Sequence, residues 1–378
     1  MKLKAENQKI YHFEYLGKRI PIVLKKTTSA LSFSKFIEKL DCDMILLVTD
    51  NNVDKLYSDV VVKYLKRKWP VKKIVMPSGE KSKTFRALEQ LCEKALASEI
   101  TRSSVICALG GGMIGNLAGV AASLLFRGVR FFHLPTSLVA QIDSSLGIKQ
   151  AINSTKNKNS FGSYYPPEFV DVQTCFLRTL PEREWYSGTT ECVKHALCQD
   201  AKFLKWIAET GPFSWEKSNL NDIYHLLERT IELKMECLYS DPTEGKREPM
   251  LELGHTVGHA LEILSKGKLR HGEAVSIGMV LECKVSCDLG LMKKETLEKI
   301  TNYLHCCGLN TKIPKYLKDE ITIDAMINAM RYDNKRKTNA IVLTLLEDIG
   351  KFAKENGQIG IKTPPSMLKS SLRVYFKK

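Results

Sequence analysis

Three consecutive glycines, Gly110-Gly111-Gly112, stand between a β-branched run at 105–109 and a helical pattern opening near Leu117. A strand, a glycine turn and a helix in that order form half of a βαβ unit, and such units build parallel sheets with helices packed on their faces. Residues 44–49, 73–76 and 131–134 also read as strands, with the helix-period segment 85–98 among them. From about Pro181 the strand signals thin and long helical patterns follow, at 220–238, 250–265, 273–289 and 294–307. The pattern at 273–289 is apolar nearly all round, which predicts a helix buried inside a bundle. With 378 residues the chain is too long for one ordinary core. Two domains are expected, an α/β domain over 1–180 and an all-α domain over 181–378.

The glycine run continues as Met113-Ile114-Gly115-Asn116. Glycines there let the backbone approach a diphosphate, which free N–H groups and the positive helix end then hold. The spacing is not GxGxxG, and a plain tight turn is the competing reading. Asp50 closes the run Val48-Thr49-Asp50, where a ribose hydroxyl is commonly read, and residues 78–83 (SGEKSK) form a polar loop in the next βα connection. His255 and His259 lie four apart on one helix face, with His271 at the start of the next helix. Imidazoles so placed can share a metal ion, with Glu191 in another polar helical stretch, or can be satisfied in a core. A zincin protease is disfavoured because Thr256 stands where its Glu belongs. A polar band, Asp143-Ser144-Ser145, Lys149, Asn153, Lys158-Asn159 and Lys194, can cradle a phosphate or simply be surface charge.

Lys and Arg number 57 against 42 Asp and Glu, a formal charge of +15. Charge alone does not choose among nucleic acid, an anionic membrane surface and an anionic small substrate. The cations are spread, however, without runs of five or interleaved aromatics, so no nucleic-acid partner is expected and a lysine-rich solvated surface is the simpler reading. The 11 cysteines form no CxxC pair and most sit in apolar stretches, as buried thiols of a reducing, cytoplasmic compartment would. Residues 1–13 lack an apolar h-region and the longest apolar stretch, 117–126, is roughly half a bilayer span, so neither secretion nor a membrane partner is expected.

Taken together, the blocks GGGMIGNLAGVAA, FRGVRFFHLPTSLVAQIDSSLGIKQAIN, KNSFGSYYPP, FLRTLPERE, ECVKHAL, GHTVGHALE and HGEAVSIGM, ordered between about residues 44 and 345, resemble the sugar phosphate cyclases. This is the family of 3-dehydroquinate synthase and 2-deoxy-scyllo-inosose synthase. The resemblance implies a Rossmann-like NAD-binding domain, a helical C-terminal domain, an active site between them and a homodimer. Carried over by motif, it implies one divalent ion, Co2+ or Zn2+, held by Glu191, His255 and His271, with His259 a site residue and not a ligand. NAD would meet Asp50, Glu80, Lys81, Ser82, Lys83, Gly112, Met113, Ile114, Gly115, Asn116, Thr136, Ser137, Lys158 and Asn159. The phosphorylated sugar would meet Asp143, Lys149, Asn159, Lys194, Lys234 and Lys335, with Arg127 reaching a neighbouring subunit.

Several positions depart from dehydroquinate synthases, which usually carry Asp at the place of Asn116 and Gly-Lys-Thr at that of Ile148-Lys149-Gln150. They also carry Asn and Arg where this chain has Glu252 and Glu248. Two acids there would repel a substrate carboxylate, at a cost on the order of several kcal/mol in a closed site. These departures, and Asp333-Asn334-Lys335-Arg336, are similar to the 2-deoxy-scyllo-inosose synthase branch. The implied reaction turns D-glucose 6-phosphate into 2-deoxy-scyllo-inosose and phosphate by transient oxidation, elimination, re-reduction and aldol closure, as in aminoglycoside 2-deoxystreptamine biosynthesis. Lys149, Glu252 and His259 would be its catalytic residues. Dehydroquinate synthase and a metal-dependent polyol dehydrogenase are the alternatives.

Overall fold

The structure, a computed structural model, describes residues 8–29, 31–155, 158–245, 248–331 and 341–376, with the backbone alone for Glu248, Pro249 and Val374. The chain divides into two compact units, 1–180 with 223–243, and 181–222 with 244–378.

In the first unit the strands are β1 (Gln8–Tyr15), β2 (Lys18–Lys25), β3 (Ile45–Asp50), β4 (Val71–Met76), β5 (Val105–Gly110), β6 (Arg130–Pro135), β7 (Lys149–Ile152), β8 (Phe161–Tyr164) and β9 (Val170–Gln173). Seven form one sheet in the order β1-β2-β9-β6-β5-β3-β4, parallel except for the β1/β2 hairpin. Strand alternation puts Ile45, Leu47, Val105 and Cys107 on one face, against Ile37, Val61 and Leu65. Leu46, Val48, Ile106 and Ala108 take the other face, against Leu88, Leu91, Leu117 and Ala121. Both faces being covered explains why β3 and β5 are apolar throughout rather than alternating. From β3 the chain moves to β4 on one side, and from β5 to β6 on the other. The switch point therefore lies between the carboxyl ends of β3 and β5, where open α/β sheets bind ligands. Asp50 and Gly110 sit there.

The helix after β5 spans Gly112–Leu124 and so starts five residues before the expected Leu117. The β1/β2 hairpin was not expected. Its turn is Leu16-Gly17, both at positive φ (49° and 74°), and a leucine there hides the usual Asn-Gly signal.

The second unit is helical, with Glu182–Gln199, Ala201–Thr210, His255–Leu264, His271–Asp288, Lys294–Cys306, Ile323–Arg331 and Pro365–Phe376 as its longer helices. The pattern at 250–265 is broken at Gly254 (φ 79°), and a new helix starts at His255. Three short antiparallel pairs between Ile341 and Thr363 interrupt the all-α expectation. Most of helix Leu220–Ser240 falls in the first unit, although the expected boundary put it in the second. The contacts explain why: Lys9 pairs with Glu228 at 2.9 Å, the Tyr11 hydroxyl donates to Glu232 at 3.3 Å, and Lys234 pairs with Asp143 at 2.8 Å. No helix among the described residues is long and apolar enough to cross a membrane.

Candidate functional site

Glycines bring three helices of the second unit together. A Cβ on Gly272 would lie 2.4 Å from the Ser187 Cα, and one on Gly278 would lie 2.0 Å from the Gly254 carbonyl oxygen. The first contact seats the His271 helix on the Glu191 helix, and the second seats it on the turn that leads into His255. Ser187 Oγ accepts from Gly272 N at 2.9 Å, and Arg183 clamps Glu273 through two 2.6 Å bonds across the same pair.

The consequence is convergence of Glu191, His255 and His271, each of which offers a ligand atom within 4.8 Å of the others. Glu191 is fully buried, with Oε1 3.2 Å from His271 Nε2 and 3.7 Å from His255 Nε2. Lys194, also buried, lies 2.5 Å from Glu191 Oε2. The far side of each ring is held as well. His255 Nδ1 faces the Leu253 carbonyl at 3.2 Å, and His271 Nδ1 faces Glu262 Oε2 at 3.4 Å, so both Nε2 atoms point inward. His259 stands beside the group, its ring 5.3 Å from that of His255 and 6.0 Å from that of His271, and is not one of the three. Glu252 is half-buried in the turn before His255, whose N–H donates to its carbonyl at 2.9 Å.

Electrostatics favour a cation at this place. Burial alone would neutralise Glu191, but Lys194 and the two imidazoles hold its carboxyl well below the usual range. Burial and Lys194 push His255 down to about 4, leaving a neutral ring with a lone pair. Burial opposes charge on His271, yet its bonds to Glu191 and Glu262 outweigh that and raise it to about 10. Two imidazoles and a carboxylate are a donor set that catalytic divalent ions use, and they suit zinc or cobalt. The residues present fit such an ion.

In the first unit the glycine loop is packed so that side chains are excluded. A Cβ on Gly112 would lie 2.7 Å from Ser144 Oγ, one on Gly111 would lie 3.2 Å from Ser137 Oγ, and one on Gly115 would lie 3.1 Å from the His133 ring. Gly112, Met113, Ile114 and Gly115 form the first helical turn; Gly115 N donates back to the Gly111 carbonyl at 3.0 Å, while the N–H groups of Gly112, Met113 and Ile114 have no acceptor within the helix. Asn116 donates to the Gly112 carbonyl at 2.9 Å and accepts from Ala151 N at 2.9 Å, which ties this turn to the β7/β8 hairpin. Gln150 is buried against Gly119, where a Cβ would lie 2.3 Å from its Oε1. Two of the positions that depart from dehydroquinate synthases thus brace the strand carrying half-buried Lys149.

Around this loop the other predicted residues fall as follows. Asp50 Oδ1 accepts from Asn52 N and Val53 N as a helix cap. Glu80 accepts from Asn153 at 2.8 Å, Lys83 donates to Asn159 at 2.6 Å, and Asn159 N donates to Asn153. Lys81 and Ser82 share a short 3-10 turn with Glu80, and Lys158 precedes Asn159. Thr136 N donates to the Gly110 carbonyl at 3.0 Å, and Ser137 Oγ accepts from Ala140 N. Asp143 pairs with Lys234 at 2.8 Å. Arg127 follows Phe126, both in left-handed backbone (φ 66° and 49°), a conformation that costs about 1–3 kcal/mol each and marks a presented loop. Lys335 and the 333–336 motif lie outside the described residues.

Sequence reasoning missed Glu262, though it lies seven residues after His255 on the same helix. It also missed Glu282, fully buried on the His271 helix. For Glu262 the available signal was a single acid in the helix His255–Leu264; for Glu282 it was an acid within the mostly apolar run 274–283.

Family models described as 3-dehydroquinate synthase N-terminal and 3-dehydroquinate synthase C-terminal match residues 73–187 and 188–336. A 3-dehydroquinate synthase of Halalkalibacterium halodurans is 38% identical over 317 residues, 83% of this chain and 86% of that protein. A 2-deoxy-scyllo-inosose synthase of Micromonospora echinospora is 34% identical over 337 residues, 87% of this chain and 83% of the other. Among solved structures, 2-deoxy-scyllo-inosose synthase complexed with carbaglucose-6-phosphate, NAD+ and Co2+ superposes with a TM-score of 0.86 at 28% identity, covering 97% of this chain and 100% of that one.

Proposed function

Because the chain belongs to the 3-dehydroquinate synthase family, we propose that it is a sugar phosphate cyclase that converts D-glucose 6-phosphate to 2-deoxy-scyllo-inosose and inorganic phosphate. The observation that carries this choice is Glu252, an acid in the turn leading into His255, near enough that its charge acts on that imidazole. A substrate with its own carboxylate would meet repulsion there; a sugar phosphate with neutral hydroxyls would not. The likeness to a synthase complexed with carbaglucose-6-phosphate supports the same choice.

In this reading the first unit holds NAD on the turn Gly112–Asn116, and Glu191, His255 and His271 hold one Co2+ or Zn2+. When bound, the two supply transient oxidation of one carbinol and polarisation of its oxygen, which acidifies the adjacent C–H. Glu252 and Lys149 are the candidate bases for that proton. Lys194 and His259 donate to the departing phosphate, as charge-assisted bonds to an oxyanion require. Lys194 has a second task, holding Glu191 ionised. Elimination, ring opening and aldol closure are redox-neutral overall, so bound NAD would be needed only in catalytic amount. Free cysteines, most of them buried, fit a cytoplasmic setting. The strained Phe126-Arg127 loop, with Leu124 58% exposed and Phe126 38% exposed beside it, suits a homodimer in which Arg127 reaches across.

A second reading, dehydroquinate synthase, is favoured by the 38% identity to the Halalkalibacterium halodurans enzyme. The test offers purified protein, with Co2+ and substoichiometric NAD, either glucose 6-phosphate or the seven-carbon precursor of dehydroquinate, and follows phosphate release. Turnover of glucose 6-phosphate is expected. Turnover of only the seven-carbon substrate would overturn the proposal, and NADH accumulating mole for mole with NAD would indicate a dehydrogenase.

A further inference from the structure

We propose that Glu282 is a positioning residue of the metal centre, acting from a neighbouring helix as the N-terminal cap of the helix that begins with His255. Glu282 has no exposed surface and sits on a helix that is otherwise mostly apolar. A carboxylate so placed is strongly unfavourable unless it receives hydrogen bonds. It accepts from Gly254 N at 2.7 Å through Oε2 and from Val257 N at 3.2 Å through Oε1.

Those two donors are the N-cap and N3 amides of helix His255–Leu264. In a capping box two side chains of the helix itself satisfy this pair, one at N-cap and one at N3. Here neither position can. Gly254 has φ 79°, and a Cβ on it would lie 2.6 Å from the Met279 side chain, so it must be glycine; N3 is Val257. One carboxylate from the packed helix serves both amides and places negative charge at the helix's positive end. The residue between the two donors that matters is His255, the first in the helix. With the flanking amides fixed, its ring keeps Nδ1 on the Leu253 carbonyl and Nε2 toward Glu191.

The inference rests on reading Glu191, His255 and His271 as metal ligands, and the experiment separates the two. Glu282→Gln keeps the side chain's shape but turns one acceptor into a donor facing an N–H. Co2+ affinity, the visible Co2+ absorption band and NAD affinity are measured for wild type and variant. The variant is expected to bind Co2+ roughly 10- to 100-fold more weakly, with an altered band, while NAD affinity is unchanged. A wild type that bound no Co2+ would overturn the metal reading itself. A variant that melts earlier yet binds Co2+ within about twofold would overturn positioning alone, since a merely stabilising cap predicts that result. Should the variant not fold, amide exchange on metal-free wild type decides. Gly254 and Val257 are expected to be strongly protected, and exchange as fast as in an open loop would overturn the proposal.

Discussion

On the reading of His271 as a metal ligand, the proton that Glu191 and Glu262 favour on its ring must leave before an ion binds, which makes the site's affinity a function of pH. In the metal-free chain Glu191 and Glu262 raise this imidazole to about 10, whereas His255, down at about 4, is already neutral at pH 7. Below about pH 10 one proton must leave for each ion bound, so the apparent Co2+ association constant should rise close to tenfold per pH unit between pH 6 and 9. Competition titrations at fixed ionic strength read this slope, and a flat profile would place the proton elsewhere. A second titration concerns His133, which burial pushes down to about 3 and whose buried Nε2 has no partner among the described residues. A histidine in an unfolded chain titrates near ~6.5. Between about 6.5 and 3 the unfolded state therefore binds a proton that the folded state refuses, so stability falls as pH falls through that window, by up to about 1.4 kcal/mol per unit. Urea melts of wild type and His133→Gln at pH 7 and 5 should show the variant losing less; equal losses would exonerate the residue. For catalysis, Glu252→Gln should leave the melting temperature nearly intact and weaken Co2+ binding only modestly, through loss of the charge near His255, but slow phosphate release roughly 10²- to 10⁴-fold. The grouping of Glu191, His255 and His271, proposed as metal ligands, was legible through spacing and resemblance, because chemistry restricts which residue types can serve there. Glu262 and Glu282 were not, since one faces a ring nitrogen and the other backbone amides, and neither contact leaves a motif.

Close helix packing, rather than residue identity alone, sets the geometry of the proposed metal site at the next scale up. Gly278 touches the Gly254 carbonyl so closely that even a methyl group cannot enter without parting the helices. Gly278→Ala should cost ~1–3 kcal/mol and weaken Co2+ binding although every ligand is retained. Thermal melts with Co2+ titration test this, and unchanged affinity would mean that the turn before His255 can shift freely. The junction of helix Gly112–Leu124 with the β7/β8 hairpin makes a parallel case. Asn116→Asp keeps the acceptor for Ala151 N but sets a carboxylate against the Gly112 carbonyl it now donates to, an expected loss of about 1–3 kcal/mol with weaker NAD binding. Element types were readable where periodicity is strong, as at β3, β5 and the His271 helix. Boundaries failed where glycine intervened: Gly111 and Gly112 start a helix that looked like loop, and Gly254 splits a pattern that looked continuous. The short pairs after Ile341 carry too few residues for any period to show.

At the scale of the whole molecule, the two-part organisation followed from a change of pattern near residue 180, but the place of helix Leu220–Ser240 did not. Its amphipathic face says only that it packs on something; the partners Lys9, Tyr11 and Asp143 are far away in sequence. Net charge is also a property of the whole, and +15 on a chain read as binding a phosphorylated sugar has a kinetic consequence. Charges spread over the surface act at distances that salt screens, with a Debye length of about 30 Å at 0.01 M and about 8 Å at 0.15 M. Attraction of a dianionic substrate should therefore fade as salt rises, while the close pairs inside the site, shielded from solvent, should not. Raising KCl from 0.01 to 0.3 M should lower kcat/KM for glucose 6-phosphate by roughly tenfold through KM, with kcat nearly constant. If kcat fell in proportion instead, salt would be acting on the buried site, and the surface charge would have no part in substrate capture. If neither changed, the lysines would serve only solvation, as an evenly charged surface can.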